Sequence, residues 1–534
     1  SRASLATMYD AAGTLVWCPH NLVARSGDAS DAVWTKNGVS VAGTTITVTA
    51  TGGSKSISQW VGGAPDGPVT LCLRVRAGAS SRVSLGLYSG GFVAATASVL
   101  SGPGVVSGTG LIQVTGLSAG TQTVIVLQAT APAGGIGVFV YPGGDTTGAN
   151  VVGDSVEFDD IRLNVGPLQP YYPTTSAAYY GPRLTYDPVT HSALGLLVEE
   201  QRTNLLTYSE ALDNATWAKN GGASITANVA TAPDGYLTAD RLTVVTGASD
   251  SLESPGVSIT SGTSYTATAR LLLGTSTTVT LNMSNAAAWS GGVNPAATFN
   301  LSTGAMTGVA ANTTAKVEAL PGGWFAVSIT ATAAATTTSS LRVVPVSSSS
   351  TTIVWGLQLE AGAFATSYIP TGAASATRAA DVVTCTGSAF SQWFNASEGT
   401  LVVEAVMPNS TVGSANIMNL VEARDASGNE SIKAYQYETL FGAAIRHGGA
   451  VQADISGTKT AGVVETIAVA WAANDAAVAI RGALVGTDAT VSVPTGIDRL
   501  TLGTGSPGAV ACTIKRIRYW RKRLTNAQLQ ALTA

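Results

Sequence analysis

The chain has 534 residues, of which 45% are apolar and only 11% charged, and its formal net charge is −4. That length exceeds a single hydrophobic core and implies three or four domains. Charge at less than half the usual quarter leaves a surface of Gly, Ser, Thr and Ala, which suits extracellular and particle-borne β-proteins rather than a helical cytosolic enzyme rich in Glu and Lys.

Residues 1–20 place Leu5 to Val16 about Gly13, a pattern that predicts a small N-terminal hairpin or linker. No signal peptide opens the chain and its first residue is Ser1, which leaves open a leader or anchoring segment upstream. No stretch reaches the roughly 18 unbroken apolar residues of a membrane span, so membrane insertion is not expected.

An internal repeat sets the next boundaries. Asn21-Leu22 is followed, thirteen residues after Asn21, by Trp34-Thr-Lys-Asn-Gly, and Asn204-Leu205 is followed at the same spacing by Trp217-Ala-Lys-Asn-Gly. The copies also close alike, with Ile161-Arg-Leu-Asn-Val-Gly166 before Tyr171-Tyr-Pro and Leu357-Gln-Leu-Glu-Ala-Gly362 before Tyr368-Ile-Pro. Two homologous domains are therefore predicted, over 21–175 and 201–372. Within them, short apolar–Ser/Thr alternations such as Val69 to Val75 and Phe325 to Thr330 are bounded by Gly, Pro or Asn. Turn signals recur about every ten residues, the rhythm of an antiparallel β-sandwich. Helical periodicity is almost absent, which excludes a parallel βαβ architecture. Between the copies, residues 176–200 read as a connecting hairpin around Asp187-Pro188, expected to pair with the N-terminal hairpin.

A third sandwich is predicted over 381–534, opened by Glu398-Gly-Thr-Leu and closed by Lys515-Arg-Ile-Arg-Tyr-Trp. The basic residues there (Lys515, Arg516, Arg518, Arg521, Lys522 and Arg523) interleave with Ile514, Ile517 and Tyr519 and read as a last strand with a solvated face. Nucleic acid binding, which needs a basic face against phosphates, is not expected. Leu524 to Leu532 predicts a short C-terminal helix capped by Thr525, with Leu529 and Leu532 on one face. The expected fold is all-β: three tandem antiparallel β-sandwiches of jelly-roll or lectin-like type, with a short C-terminal helix.

Cys18, Cys72, Cys385 and Cys512 have no CxxC pair and no His-rich company, so a zinc site is not expected. Cys385 and Cys512 lie towards the two ends of the third domain; buried free thiols are expected, with a disulfide between them the alternative.

The first two sandwiches resemble the carbohydrate-binding-module jelly rolls of phage fibre and head-spike proteins. The matching pieces are Asn204-Leu-Leu-Thr-Tyr-Ser-Glu with Trp217, Gly323-Trp324-Phe325, and Trp355 to Gly362 with Tyr368-Ile-Pro. The third resembles a concanavalin A or laminin-G lectin sandwich, from Glu398-Gly-Thr-Leu to Arg523-Leu-Thr-Asn-Ala-Gln-Leu. The join Gly195-Leu-Leu-Val-Glu-Glu-Gln-Arg-Thr-Asn-Leu-Leu is similar to structural proteins of tailed bacteriophages and of alphaproteobacterial gene transfer agents. The resemblance implies a head-spike or tail-fibre protein on the virion surface that attaches to host cell-surface polysaccharide. Its further partners would be other virion proteins, with a homo-oligomer left open. A purely structural spacer and a capsule depolymerase are the alternatives, since such folds host many functions.

Glycoside hydrolysis needs two carboxyls across the scissile bond. Glu398 and Glu404 are six apart with no acid between them, and His20, His191 and His447 stand apart from any nucleophile elbow. The chain is therefore expected not to be an enzyme. Asp159-Asp160 lies where the apolar residues of Val156-Glu-Phe-Asp-Asp-Ile-Arg-Leu change face, which predicts a bulge. In similar jelly rolls such a pair helps hold a structural calcium, which takes oxygen ligands; a solvated strand edge is the alternative. The second copy has Trp355 and Gly356 at that position instead.

Sugars stack on exposed aromatic faces while polar groups read their hydroxyls. Strand parity assigns Trp355 and Trp471 to cores, and Trp34 and Trp217 plug the first two sandwiches. Trp324 faces away from Phe325, Val327 and Ile329, and Trp289 lies in a loop-like Ala/Ser/Gly stretch. Trp324 and Trp289 are the leading candidate sugar platforms, and Trp60, whose side is ambiguous, is the third.

Overall fold

The computed structural model describes residues 2–62, 67–132, 134–144, 150–406, 417–437, 439–458, 460, 463–505 and 511–534. Strands hold 54% of the described residues and helices 4%, so the chain is all-β as its alternation predicts. It divides into two units, Trp17–Gly181 and Ser1–Val16 with Pro182–Ala534.

Among its described residues, the unit Trp17–Gly181 holds two six-stranded antiparallel sheets. One runs in the order Ala95–Ser101, Thr123–Ala131, Gly67–Ala77, Ser155–Val165, Thr45–Val48, Val39–Ala42. The other runs Val105–Ser107, Ile112–Thr115, Arg82–Tyr88, Ile136–Pro142, Ser56–Val61, Thr35–Asn37. Period-two alternation turns Val69, Leu71, Leu73 and Val75 inward from the first sheet, and Val83, Leu85, Leu87, Ile136, Val138 and Val140 from the second; all are buried. Trp34 is buried with them and lies edge-on to Phe158 at 6.0 Å, the plug that its position predicts.

The second sandwich, in the other unit, pairs a sheet built around Leu341–Pro345 and Thr278–Met283 with one built around Leu237–Val244, Ser350–Ala361, Ser264–Leu273 and Trp324–Thr332. The repeat is explained by matching hydrogen bonds in the two copies. Asn21 donates to the carbonyls of Ile161 and Tyr172 and accepts from the amides of Val23 and Leu163. Asn204 does the same with Leu357 and Ile369, Leu206 and Leu359. The Trp34 indole bonds the carbonyl of Arg25, and that of Trp217 the carbonyl of Tyr208. Ser26 reaches the Tyr171 hydroxyl at 3.0 Å, and Ser209 that of Tyr368 at 2.8 Å. The Asn residues tie the opening loop to the last strand, the Trp indoles close that loop on itself, and the Ser residues tie it to the segment after the last strand.

The third sandwich is not contiguous in sequence. One of its sheets runs Arg183–Tyr186, Ala193–Glu199, Ala511–Trp520, Gly399–Val406, Val464–Ala472, Asp475–Ile480, Ala483–Asp488. The connecting hairpin thus pairs with the last strand, Leu196 against Ile514 and Val198 against Cys512, while the N-terminal strands Thr7–Tyr9 and Leu15–Trp17 pair with each other. No ladder joins the two hairpins among the described residues; they meet through side chains, the Tyr9 amide donating to the Thr185 hydroxyl and Arg183 to the carbonyl of Thr7, while Val198 is a fully buried member of the third core. The second sandwich is accordingly inserted between two parts of the third. The C-terminal helix, Asn526–Thr533, has the expected Thr525 cap, completed by Gln528 as a capping box. Its Leu529 packs on Val402, Ala468, Ala470, Ala477 and Ala479, a row of mostly small side chains that lets the helix approach the sheet.

A buried ionic joint ties the insertion to its host. Arg183 pairs with Glu199 at 2.5 Å and with Asp381, Arg378 pairs with Glu199 at 3.0 Å, and Arg2 pairs with Asp381 at 2.6 Å. Ser367 of the second sandwich gives Glu199 both its amide, at 2.8 Å, and its hydroxyl, at 2.6 Å. The Gly195–Leu206 stretch is therefore structural: Val198 fills a core, Glu199 joins the sandwiches, Arg202 pairs with Glu200 and Asn204 brackets the last strand.

Candidate functional site

Trp324 and Trp289 do not present a ring to solvent. Trp324 lies on the outer face of its sheet, as parity predicts, but that face is covered. It packs with Leu15 of the N-terminal hairpin, Ile353, Trp355 and Tyr368 and is 3% exposed. Its indole donates to the carbonyl of Thr231 at 3.3 Å. Trp289 is 1% exposed in the main core of the second sandwich, edge-on to Tyr265 at 6.2 Å, with its indole on the carbonyl of Ser284 at 3.0 Å. Trp355 is buried too, but in the outer cluster. The ladder slips between Thr268 and Arg270, and Gly356, at φ +60°, lets the strand change face there.

Trp60 differs: 59% of it is exposed. On Ser56–Val61 its neighbours Ile57, Gln59 and Val61 are buried, so parity turns Trp60 outward with Ser58. Next to it, Gly137 lies opposite Trp60 on one side and opposite Tyr88 on the other. One row further along, Phe139 lies between Ser58 and Gly86, and beyond that Tyr141 lies opposite Ser84, which faces Gln113. Aromatic rings thus alternate with Gly or Ser across the outer face of one sheet. The glycines make room for the rings. A Cβ on Gly137 would stand 2.9 Å from Phe139 Cε2, and one on Gly86 would stand 2.7 Å from Phe92 Cδ1. Phe92 folds over this face and closes the cluster, 5.5 Å from Tyr88 and 6.0 Å from Phe139, while Phe139 and Tyr141 stack at 6.2 Å. Among these rings the Ser84 hydroxyl is buried without a hydrogen-bond partner. The surface offers what a pyranose ring needs, an open indole beside further rings, with the half-buried Ser58 and Gln113 on the same face.

Tyr88, Phe92, Phe139 and Tyr141 were not legible as a site from the sequence. The available signal was the inward run Val83, Leu85, Leu87 and Ile136, Val138, Val140, which consigns the intervening Gly and aromatic residues to the opposite face.

The Asp159-Asp160 pair lies at the expected bulge, where the ladder slips between Phe158 and Asp160. Asp159 accepts from Arg76 at 2.7 Å and from Gln122 at 2.6 Å, and Asp160 lies 3.2 Å from Arg74. Guanidiniums stand where a calcium ion would have to, and among the described residues no group of three or more His, Cys, Asp or Glu side chains could hold a metal. The pair does not fit calcium. In the second sandwich Arg270 takes the place of Arg74, and lies over the rings of Trp355 at 5.8 Å and Tyr368 at 4.4 Å.

Two carboxyls elsewhere have raised proton affinity. Burial, with Asp234 nearby, pushes Glu210 up to about 7, and burial pushes Asp234 up to about 6. Such groups mark candidate acids, but these two lie where the N-terminal hairpin docks. Glu210 bonds the Tyr368 hydroxyl, and the carbonyl of Pro233, next to Asp234, accepts from the amide of Leu15.

No protein-family model matches the chain, and no curated protein matches it by sequence. Among solved structures, it is similar to the CBM40 of a Ruminococcus gnavus IT-sialidase bound to alpha2,3 sialyllactose, at 22% identity over 26% of this chain and 83% of that one, with a TM-score of 0.22. It is similar to the receptor-binding domain of botulinum neurotoxin type G at 10% identity over 25% of this chain and 36% of that one, TM-score 0.23. Sheep galectin-11 in complex with glycerol aligns at 9% identity over 26% of this chain and 98% of that one, TM-score 0.20.

Proposed function

We propose that the protein is a non-catalytic adhesin on the surface of a tailed phage or related particle, a head spike or tail fibre that binds host cell-surface polysaccharide. The observation that supports sugar binding is the exposed Trp60 ring beside Gly137 and Tyr88. The particle setting rests on the resemblance of the repeated sandwiches and of the Gly195–Leu206 join. Each site binds weakly, and many copies on one particle raise avidity through effective concentration.

A purely structural spacer is the second reading, favoured by the fact that the repeated Asn, Trp and Ser residues are engaged within the fold. A glycan array probed with the protein, alone and displayed on particles, separates the two. The adhesin reading expects binding that Trp60→Ala abolishes; an array blank for both forms leaves the spacer. Incubation with host capsule tests the third reading, since shortened chains would establish a depolymerase.

A further inference from the structure

The third sandwich carries a second polar surface, on the sheet that runs Val383–Thr386, Arg499–Gly505, Ile417–Arg424, Ser431–Tyr437, Leu440–His447, Ala450–Thr458. Alternation turns Ile432, Ala434, Phe441, Ala443 and Ile445 into the core. The opposite face is polar along two adjacent rows: Thr504, Asn419, Tyr435, Gly442 and Ser456 in one, and Thr501, Glu422, Lys433, Ala444 and Asp454 in the next. An open groove of about 300 Å³ lies there, lined by Ile417, Asn419, Arg424, Lys433, Thr504 and Gly505.

Three features point to its occupant. Lys433 is half-buried, and burial lowers its affinity for a proton; its ammonium lies 5.7 Å from the Tyr435 ring centre. Glu422 is the acid opposite it, but that carboxylate already serves Asn419 Nδ2 at 3.0 Å and Arg424 at 3.7 Å. Asp454 is engaged by the Tyr435 hydroxyl. Arg424, Arg446 and Lys433 against Glu422 and Asp454 leave one positive charge in excess around Lys433. Two polar side chains on directly opposed residues, Asn419 and Thr504, line the groove beside it. An excess cation asks for an anion, and polar side chains on the lining ask for hydroxyls.

We propose that this groove binds a saccharide bearing a carboxylate, a uronic acid unit whose carboxylate faces Lys433 and whose hydroxyls meet Asn419 and Thr504. The site is separate from the Trp60 face and stands whether or not that face binds sugar.

The test is calorimetric titration of the full chain with trigalacturonate and with its methyl ester, which keeps the sugar and removes the charge. Trigalacturonate should bind, the ester at least tenfold more weakly, and Lys433→Met should weaken trigalacturonate binding at least tenfold while the melting temperature stays within about a degree. Trp60→Ala should leave this binding unchanged. The proposal is overturned by equal affinity for acid and ester, by undiminished binding in Lys433→Met, by loss of binding in Trp60→Ala, or by no heat with trigalacturonate at millimolar concentration. Should Lys433→Met prove poorly folded, the fall in affinity between low and 0.3 M salt decides for the unaltered chain: a fall of several-fold supports the charge contact, and none overturns it.

Discussion

Arg183 and Asp381 lie 198 residues apart in sequence and meet in an ion pair with essentially no solvent exposure. The second sandwich is inserted between them, so the pair closes the third sandwich across its own insertion. Removing one partner of such a pair strands a buried charge, at a cost of about 3–5 kcal/mol. Asp381→Asn should therefore lower stability by that amount, while Asp381→Asn combined with Arg183→Met should recover part of it. Urea unfolding curves of the single and double variants measure the difference. A single variant as stable as the parent would mean that the joint does not hold the insertion.

The same joint fixes behaviour in acid. Burial alone would raise Glu199, but the Arg378 and Arg183 guanidiniums hold its carboxyl at about 2. A carboxyl held below its unfolded value of 4.5 stabilises the fold above that pH, and its contribution is lost as pH falls from about 4.5 towards 2. Melting temperatures should drop steeply over that window, and Glu199→Gln should melt lower at pH 7 with a flatter acid limb.

Asn204 makes four hydrogen bonds that no other side chain of its size supplies, two donated and two accepted. Asn204→Ala leaves those backbone groups unpaired and should cost about 2–4 kcal/mol. Asn204→Asp should cost more, because a carboxylate would then face the carbonyls of Leu357 and Ile369. Thermal unfolding ranks the two, and the reverse order would contradict the bracket.

Local pattern carried most of the fold. The repeat, the bulge at Asp159, the Thr525 cap and the inward parity of Val69 to Val75 are all set by neighbours in sequence. What escaped depended on distant chain. Trp324 was placed on the correct face, but nothing near it says that Leu15 covers that face. Trp355 lost its predicted parity to a bulge at Gly356, a residue that reads as an ordinary strand glycine. The aromatic face lies on three strands, and only their register brings Trp60, Gly137 and Tyr88 into one row. The motifs most recognisable in the sequence are used for folding, which is why they pointed away from the aromatic face proposed to bind sugar.

Glu210 gives the opposite pH response to Glu199. Its carboxyl is raised to about 7 by burial, so its contribution is fully present below 4.5 and is lost as pH rises through about 7. Stability should decline between pH 5 and 8, and Glu210→Gln should remove the part of that decline not due to Asp234 and melt higher at pH 8. The gain is on the order of 2 kcal/mol, given that each pK unit is worth about 1.4 kcal/mol and that the group is partly solvated. The N-terminal hairpin docks on this cluster through Tyr9 and Leu15, so amide exchange in Thr7–Tyr9 should quicken over the same pH range.

All four cysteines are thiols, and Cys385 is the partly exposed one. Burial pushes the Cys512 thiol up to about 12, and Cys18 and Cys72 are fully buried. Since the thiolate is the reactive form, a thiol reagent at pH 8 should modify one cysteine per native chain and four after unfolding. Mass spectrometry should place the native adduct on Cys385. An adduct on Cys512 under native conditions would mean that the hairpin of Ala193–Glu199, which lies against it, opens readily.

The tryptophans separate binding from folding. Trp289→Ala removes a fully buried ring from the second core and should cost about 3–5 kcal/mol; Trp324→Ala should cost a similar amount by uncovering the face beneath Leu15. Neither should alter affinity for glycan in preparations that remain folded. Trp60→Ala should do the reverse, leaving the melting temperature within about a degree and removing binding, because an exposed ring contributes little to folding and much to stacking on a pyranose. If Trp60→Ala bound glycan as the parent does while Trp324→Ala lost binding at unchanged stability, the ligand surface would lie on the second sandwich, and the N-terminal hairpin would have to be a cover that lifts.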